Sequence, residues 1–255
     1  MSTDAVVIWG ELLWDRYVEA DVHVLGGAPA NFAWHFALAG GWAQLVTRLG
    51  DDGLGHRALA QLDGLVDTSL VQIDPERGTG EVTIRLEGHE PRYTLHPGRA
   101  WERIACTDEV RAAIDEAGVF VYGTLAQRTA EGHAAWLAAI TAAAPRAIRV
   151  YDANLRPNDR ASHAIESALE HADVLKLNDR EVDQIAAMFG WPDPVAHLRA
   201  RRPRIVVVTH GGRGSTIHPA DGAPIAIAGV PAAPGGDNVG CGDAYLALFI
   251  FGMTS

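Results

Sequence analysis

The segment GGDNVGCGDAY, at residues 235–245, places small residues and two aspartates directly before an apolar helical run, LALFIF. Gly240, Cys241 and Gly242 would expose consecutive backbone N–H groups where a helix begins. These groups lie at the positive end of the helix dipole, so this turn is predicted to bind an anion. A carboxylate repels an anion beside it, and we therefore interpret Asp243 as a base that accepts a proton from an attacking hydroxyl. The alternative is that Asp243 only caps the helix.

Polar residues also follow three apolar runs that are predicted to be strands. The strand ends and the residues just after them carry Asp152, Asn154, Arg156, Asn178 and Thr209. In open α/β sheets ligands bind outside the carboxyl ends of the strands. These side chains are therefore predicted to converge on one site.

Two of these strand ends have simpler interpretations as well. Asn178 and Glu181 are spaced for a capping box, and a metal-linked role for Glu181 is expected only if phosphates bind nearby. The turn that contains Gly211 and Gly214 matches neither a Walker A loop nor a G-x-G-x-x-G fingerprint. By itself it indicates a hairpin or the edge of a nucleotide site. The missing fingerprint after the first strand disfavours an NAD-dependent dehydrogenase.

A further candidate is LGGAPANFAWHFALAGG, at residues 25–41. Pro29 suits the first turn of a helix, and Gly27 lets the backbone approach another group closely. Asn31 then lies at the helix start and is directed either at a ligand or at its own backbone. An ordinary strand-to-helix turn is the alternative.

The elements that must position these residues alternate along the chain. Continuously apolar runs, typical of strands buried on both faces, are VVIW (6–9), AQLVTRL (43–49), VFVYG (119–123), IRVYD (148–152), DVLKLN (173–178) and RIVVVTHG (204–211). Segments with helical periodicity lie between them. The pattern predicts an α/β fold with a doubly wound, mostly parallel sheet flanked by helices.

Two excursions, at about residues 11–26 and 78–97, alternate apolar with polar residues. This alternation suits antiparallel strands that are solvated on one face, and it predicts a small β-sheet lid. Because the excursions are separate in sequence, we expect a single domain over residues 1–255 rather than two domains.

The composition excludes several classes of partner. A net charge of -11 disfavours nucleic acid, because phosphate backbones need a basic face. No run has the length of a membrane span, and we expect no membrane association. Cys106 and Cys241 form no metal-ligand pattern, so a reduced, cytoplasmic protein is the simplest expectation.

The order GGAPAN, DANLRP, LKLNDRE, VVVTHGGRGS and DNVGCGDAY resembles the ribokinase-like (PfkB) carbohydrate kinases over essentially the whole chain. GELLWD and GGAPAN together look most like the fructokinase branch. The resemblance implies ATP as the phosphate donor, Mg²⁺, and a stimulating monovalent cation such as K⁺. It implies a sugar as the substrate, most readily a ketohexose such as fructose, and a possible homodimer through the lid. A 2-keto-3-deoxygluconate or nucleoside kinase and a sugar-binding sensor without catalysis are the alternatives.

The same resemblance implies a role for each candidate residue. Asp243 matches the catalytic base, and Gly240, Cys241 and Gly242 match the anion hole. The matching sugar-binding residues are Asp15, Gly27, Asn31, Asp152, Asn154 and Arg156. The matching nucleotide-binding residues are Asn178, Thr209, Gly211 and Gly214. Glu181 matches a residue that is associated with phosphate and hydrated magnesium.

Three departures from the family pattern are visible. Asn238 and Val239 stand where Thr or Ser is usual, which bears on nucleotide and monovalent-cation contacts. His210 and Gly212 are uncommon in the nucleotide turn. The sequence also ends 12 residues after Asp243, where family members continue through helices beside the adenine. We therefore expect either a missing segment or an incomplete adenine pocket.

Overall fold

The continuously apolar runs form the strands of a large sheet. The structure, a computed structural model, describes residues 5–87, 90–156, 162–231 and 239–255. The strands in these ranges are β1 (Val6–Trp9), β2 (Leu13–Tyr17), β3 (Val22–Gly26), β4 (Ala43–Val46), β5 (Arg48–Gly50), β6 (Gln72–Asp74), β7 (Gly80–Glu87), β8 (Glu90–Leu95), β9 (Val119–Gly123), β10 (Ile148–Asp152), β11 (Val174–Asn178), β12 (Ile205–Thr209), β13 (Gly214–Pro219) and β14 (Ile225–Ala228).

Helices occupy most of the connections between the strands. They are α1 (Ala28–Leu38), α2 (Gly53–Leu62), α3 (Asp108–Glu116), α4 (Ala130–Ala142), α5 (Ser162–His171), α6 (Asp179–Phe189), α7 (Pro194–Arg199) and α8 (Cys241–Thr254). Single 3-10 turns lie at Ala100–Arg103, Leu125–Gln127 and Gly211–Arg213.

The main sheet has the order β14-β13-β12-β11-β10-β9-β1-β4. Its strands from β12 to β4 are all parallel, whereas β13 and β14 add an antiparallel edge. From β1 the chain runs first to β4 on one side and later to β9 on the other. The strand order therefore reverses between β1 and β9, which is where open α/β sheets bind ligands. The predicted α/β fold class is confirmed.

A hydrophobic core lies on each face of this sheet. In β1, Val6 and Ile8 pack into one core, and Val7 and Trp9 pack into the other. This division explains why the strand sequences are apolar at every position, since neither face contacts water. The core that contains Val6 also holds α1 and α8, whose Phe36 and Phe251 rings meet edge to face at 5.8 Å.

The two predicted excursions form a four-stranded sheet of order β3-β2-β7-β8. Each excursion is an antiparallel hairpin, as the alternation suggests, but the hairpins join through a parallel pairing of β2 with β7. Parallel pairing follows from the long connection between them, because only adjacent strands can be joined by a tight turn. Residues 88–89 of the second excursion lie outside the described residues.

One predicted strand is wrong in its extent. The run AQLVTRL is divided into β4, in the main sheet, and β5, which pairs with β6 in a separate two-stranded sheet. Arg48 of β5 forms an ion pair of 3.0 Å with Asp74 of β6, and the Asp74 carboxylate is almost wholly buried. This buried partner lies off the main sheet, which is consistent with the chain leaving it after Val46.

Candidate active site

The small residues at the start of α8 form a turn, as the sequence predicts. Gly240 is the N-cap and adopts the left-handed conformation at φ 73°, which favours glycine. Among the described residues, no side-chain hydrogen bond caps this helix start. Cys241 is exposed, and Gly242 is half-buried behind it. The start of α8 thus combines a left-handed glycine N-cap with the positive end of the helix dipole, and an anion site uses both features.

Asp243 lies in the first turn of α8 and is 8% exposed. Its Oδ2 accepts a hydrogen bond of 2.8 Å from the side-chain nitrogen of Asn31 in α1. The Asn31 amide nitrogen is also 3.5 Å from the position that a Cβ on Gly240 would occupy. The packing of α1 against α8 thus brings together two site residues that are 212 residues apart in the sequence.

A buried ion pair lies on the other side of Asp243. Lys176 Nζ donates to Asp152 Oδ1 at 3.0 Å, and both side chains are less than a tenth exposed. The same ammonium group is 3.0 Å from the position that a Cβ on Gly242 would occupy. The side chain of Lys176, in β11, therefore lies next to the first turn of α8.

Burial and repulsion between neighbouring carboxylates raise the pKa values of Asp243 and Glu181. Burial, followed by the charge of Asp152, raises the pKa of Asp243 to about 7, and the Asn31 hydrogen bond opposes this rise. Burial also raises the pKa of Glu181 to about 7. Burial alone would lower the pKa of Lys176, but the nearby carboxylates, with Asp152 foremost, raise it above its ordinary value. Perturbed groups of this kind are typical of functional sites.

Glu11 adds a further carboxylate, just after β1 at the reversal of strand order. It is 2% exposed, its Oε2 has no hydrogen-bond partner among the described residues, and burial raises its pKa to about 7. A small cavity of about 10 Å³ is lined by Glu11, Asp152 and Asn154, and it has room for about one water molecule. Gly27 lies directly beside Glu11, because a Cβ at its φ of 101° would be 2.5 Å from the Glu11 carbonyl oxygen.

A larger cavity of about 420 Å³ lies between the small sheet, α1 and the start of α8. Its lining includes Asp15, Asn31, His35 and Gly240. Burial raises the pKa of Asp15 to about 6, whereas the charge of Arg156 lowers it. This cavity brings the predicted sugar contacts Asp15 and Asn31 next to the predicted anion turn.

Arg156 is an exposed residue that follows β10. Its charge acts on Glu11, Asp15 and Asp243, so it lies within electrostatic range of both cavities. Asn154, two residues earlier, has a left-handed backbone at φ 37°. The tight turn at Asn154 leads the chain from the strand end toward Arg156.

Asn178 and Glu181 form the capping box that the sequence predicts. Asn178 Oδ1 accepts from the Glu181 N–H at 3.0 Å, and Glu181 Oε2 accepts from the Asn178 N–H at 2.7 Å. Glu181 Oε1 accepts from the Leu155 N–H at 3.0 Å. Each oxygen retains a second lone pair. In the described part of the chain no group of three or more His, Cys, Asp or Glu side chains could hold a metal ion, so Mg²⁺ near Glu181 and Asp152 would be bound through water molecules, which that ion retains readily.

The predicted nucleotide residues lie along the same edge of the sheet but outside both cavities. Thr209 pairs in register with Asn178, and Gly211 and Gly214 shape the turn between β12 and β13. Ser215, next to Gly214, shares a hydroxyl hydrogen bond of 2.8 Å with Tyr245 of α8. The hairpin interpretation of this turn is confirmed, because β12 and β13 pair antiparallel. The Ser215–Tyr245 hydrogen bond links the start of β13 to α8, the helix that contains Asp243.

Sequence reasoning missed Glu11, His35 and Lys176. Glu11 follows the first strand directly, as other site residues follow theirs. His35 is one helical turn after Asn31, so both are expected on one face of α1. Lys176 is a charged residue inside a buried strand, and it is the one lysine among the 21 lysine and arginine residues of the chain.

Two solved fructokinases share this architecture. An ATP-bound fructokinase from Xylella fastidiosa superposes with a TM-score of 0.90 at 22% identity, covering 100% of this chain and 82% of that one. A fructokinase from Vibrio cholerae O395, bound to fructose, ADP and calcium, gives a TM-score of 0.83 at 21% identity, covering 100% and 85%. These likenesses show that the chain has the ribokinase-like fold of those kinases.

Sequence comparison agrees with this class. The family described as pfkB family carbohydrate kinase matches residues 15–255. Fructokinase-1 from Zea mays is 29% identical over 273 residues, covering 97% of this chain and 82% of that protein. The chain belongs to the pfkB family of carbohydrate kinases, whose members are phosphotransferases with an alcohol group as acceptor. Within the described residues, no helix is long and apolar enough to cross a membrane.

Proposed function

We propose that this kinase transfers the γ-phosphoryl group of ATP to a hydroxyl of a ketohexose such as fructose. The observation that carries the proposal is the position of Asp243. Its carboxylate accepts a hydrogen bond from Asn31, which lines the larger cavity, and it lies in the first turn of α8, whose N-cap Gly240 lines the same cavity. A sugar in the cavity would thus meet a base and an anion site side by side.

The transfer needs a deprotonated hydroxyl and compensation for charge on the moving phosphoryl group. Asp243 takes the hydroxyl proton, and the backbone N–H groups of the Gly240–Gly242 turn receive the phosphoryl oxygens. Asp15 and Asn31 orient the sugar from the cavity wall. Asp152 and Glu181 would hold Mg²⁺ through water molecules, and the ion would neutralise phosphate charge when bound. Thr209, Gly211 and Gly214 form the nucleotide edge.

The comparisons support the choice of substrates. Relatives named fructokinases match most of this chain, and fructose and ADP are bound in the Vibrio cholerae structure. Fructokinase from the same organism has also been solved with a potassium ion, fructose and ADP. A K⁺ requirement is therefore part of the proposal. Asn238, the departure that bears on that ion, lies outside the described residues.

The decisive experiment measures ADP release with a panel of sugars, run beside Asp243→Asn. Removing the base is expected to lower kcat by about 10²–10⁴-fold while sugar and ATP still bind. Asp63→Asn, at an exposed position after α2, is the matched control and should leave kcat unchanged. Full activity of Asp243→Asn would contradict the assignment of the base.

The panel also separates the alternatives. An acid sugar such as 2-keto-3-deoxygluconate needs a cation, and Arg156 is the candidate because its charge already reaches Asp15. Turnover of that sugar or of a nucleoside in preference to fructose would replace fructose as the proposed substrate, and the protein would still be a kinase of the same family. Sugar binding without turnover by any acceptor would support a sensor. The raised pKa of Asp243 favours an enzyme over that sensor.

Two other expectations stay predictions. Pairing of two copies through the small sheet is supported by Val22 and Val24 of edge strand β3, each 46% exposed. Sedimentation of the parent protein and of the double variant Val22→Asp, Val24→Asp tests this pairing. Location in the cytoplasm is tested by cell fractionation.

A further inference from the structure

His35 lines the larger cavity but has no part in the reaction described above. It is half-buried in α1 and shares the cavity wall with Asp15, Asn31 and Gly240. Its backbone carbonyl accepts a hydrogen bond from the Ala39 N–H at 3.2 Å. Its imidazole ring has no hydrogen-bond or ionic partner in the part of the chain that the structure describes. The ring nitrogens are therefore available to a ligand in this cavity.

The helix fixes the distance between His35 and the reaction centre. His35 follows Asn31 by four residues, so the two side chains lie on one face of α1 with their Cβ atoms about 5–6 Å apart. Asn31 is the residue that donates to Asp243 at 2.8 Å. A ligand that contacts both His35 and Asn31 must therefore have a polar group well away from the one beside Asp243. A sugar has such a group, because its hydroxyls are distributed around the whole ring.

The polar atoms of the cavity wall show what His35 adds. A sugar hydroxyl both donates and accepts hydrogen bonds, whereas an ionised Asp15 only accepts. Asn31 uses its side-chain nitrogen on Asp243, which leaves its carbonyl oxygen as an acceptor. Tyr17 also lines the cavity and has a hydroxyl. The imidazole of His35 has an N–H donor in either protonation state. His35 thus supplies a donor where two neighbouring groups supply acceptors.

We propose that His35 is a sugar-binding residue, which donates a hydrogen bond to an acceptor hydroxyl remote from the one that is phosphorylated. The kinase would thereby select sugars that have a hydroxyl at this position. This inference rests on the proposed function, because it takes the larger cavity as the sugar site. His35 does not touch the reacting atoms, so its bond stabilises the bound sugar and the transition state equally.

Uniform binding of this kind predicts a separation of KM from kcat. His35→Leu removes both ring nitrogens and is expected to raise KM for fructose by about 3–10-fold, the usual effect of one neutral hydrogen bond. The values of kcat and of KM for ATP should stay close to those of the parent protein. His35→Gln retains a donor and an acceptor and should restore most of the lost affinity. His56→Leu, at an exposed position of α2, is the matched control and should leave KM unchanged.

Fructose analogues that each lack one hydroxyl identify the partner of His35. In the parent protein, loss of the contacted hydroxyl should weaken binding about as much as His35→Leu does. In His35→Leu the same analogue should bind as well as fructose, because the two changes remove one shared contact. The rise in melting temperature on adding each sugar measures binding without turnover. An equal penalty for every analogue in both proteins would overturn the proposal.

A structural role for His35 predicts a different result. His35 lies in the last turn of α1, where a protonated imidazole could stabilise the helix terminus. In that case His35→Leu would lower the melting temperature of the sugar-free protein and leave KM for fructose unchanged, which would also overturn the proposal.

The same measurements separate this proposal from the proposed function. If the parent protein phosphorylates fructose and His35→Leu has the same KM, only the role of His35 fails. If fructose raises the melting temperature without turnover, the kinase activity on fructose fails, and the analogues still decide the role of His35. If fructose is neither bound nor phosphorylated, both proposals fail.

Discussion

The side-chain amide of Asn31 donates a 2.8 Å hydrogen bond to the carboxylate of Asp243, across 212 residues of sequence. The bond joins the first helix of the chain to the last. It ties the proposed base to Asn31, which lines the larger cavity, and it favours the ionised carboxylate. The residue that we propose to bind the sugar would thereby also tune the proposed base.

Asn31→Ala is expected to lower kcat/KM by about 10–100-fold, the usual effect of losing a hydrogen bond to a charged group. The acidic limb of the pH dependence of kcat/KM should also move to higher pH, because that hydrogen bond lowers the pKa of Asp243. Gln44→Ala is the matched control, since Gln44 donates to the Asp67 carboxylate at 3.1 Å far from the site. An unmoved limb in Asn31→Ala would show that the bond does not tune Asp243.

Glu11→Gln is expected to stabilise the protein above about pH 7, by about 1–3 kcal/mol. The pKa of Glu11 is raised from 4.5 to about 7 by burial, so the folded state binds the proton more tightly than the unfolded state. The Glu11 carboxyl therefore lowers the free energy of unfolding as pH rises from about 4.5 to about 7. The glutamine side chain of the variant does not ionise, so it avoids this loss of stability. Urea unfolding at both ends of this window measures the change. Glu116→Gln, at an exposed position, should show no such difference.

Gly242→Ala is expected to lower kcat by about tenfold or more, because it disturbs the packing that a preorganised site needs. Its Cβ would lie 3.0 Å from Lys176 Nζ, and that buried group has little room to move. Gly252→Ala in the same helix is the control, since its Cβ would meet nothing within 4 Å. Steady-state kinetics of the two variants give the comparison. Equal kcat values would show that the first turn tolerates a methyl group.

Alkylation of Cys241 is expected to inactivate the enzyme, and bound ATP should slow the reaction. Cys241 is an exposed thiol in the proposed anion turn, where a phosphate would cover it. The measurement follows loss of activity with iodoacetamide in a Cys106→Ala background. An inactivation rate that ATP leaves unchanged would place Cys241 outside the phosphate site.

The sequence by itself predicted the sheet and most of the site. Apolar runs predicted the buried strands because burial on both faces leaves no polar position. The glycine-rich turn before α8 and the polar strand ends predicted one site, because parallel strands end at the same edge of a sheet. The capping box of Asn178 and Glu181 was also predictable from the sequence, because it depends only on a local spacing of three residues.

Only the tertiary structure decided which of those residues meet. Asn31 and Asp243 come into contact because α1 packs on α8, and Lys176 meets Gly242 because β11 ends beneath that helix. Burial in this crowded position, rather than residue type, raises the pKa values of Glu11 and Asp243. Sequence periodicity reports which face of an element is apolar, but not which element lies against it. Long-range packing therefore determined the chemistry of residues whose identity and local spacing the chain already specified.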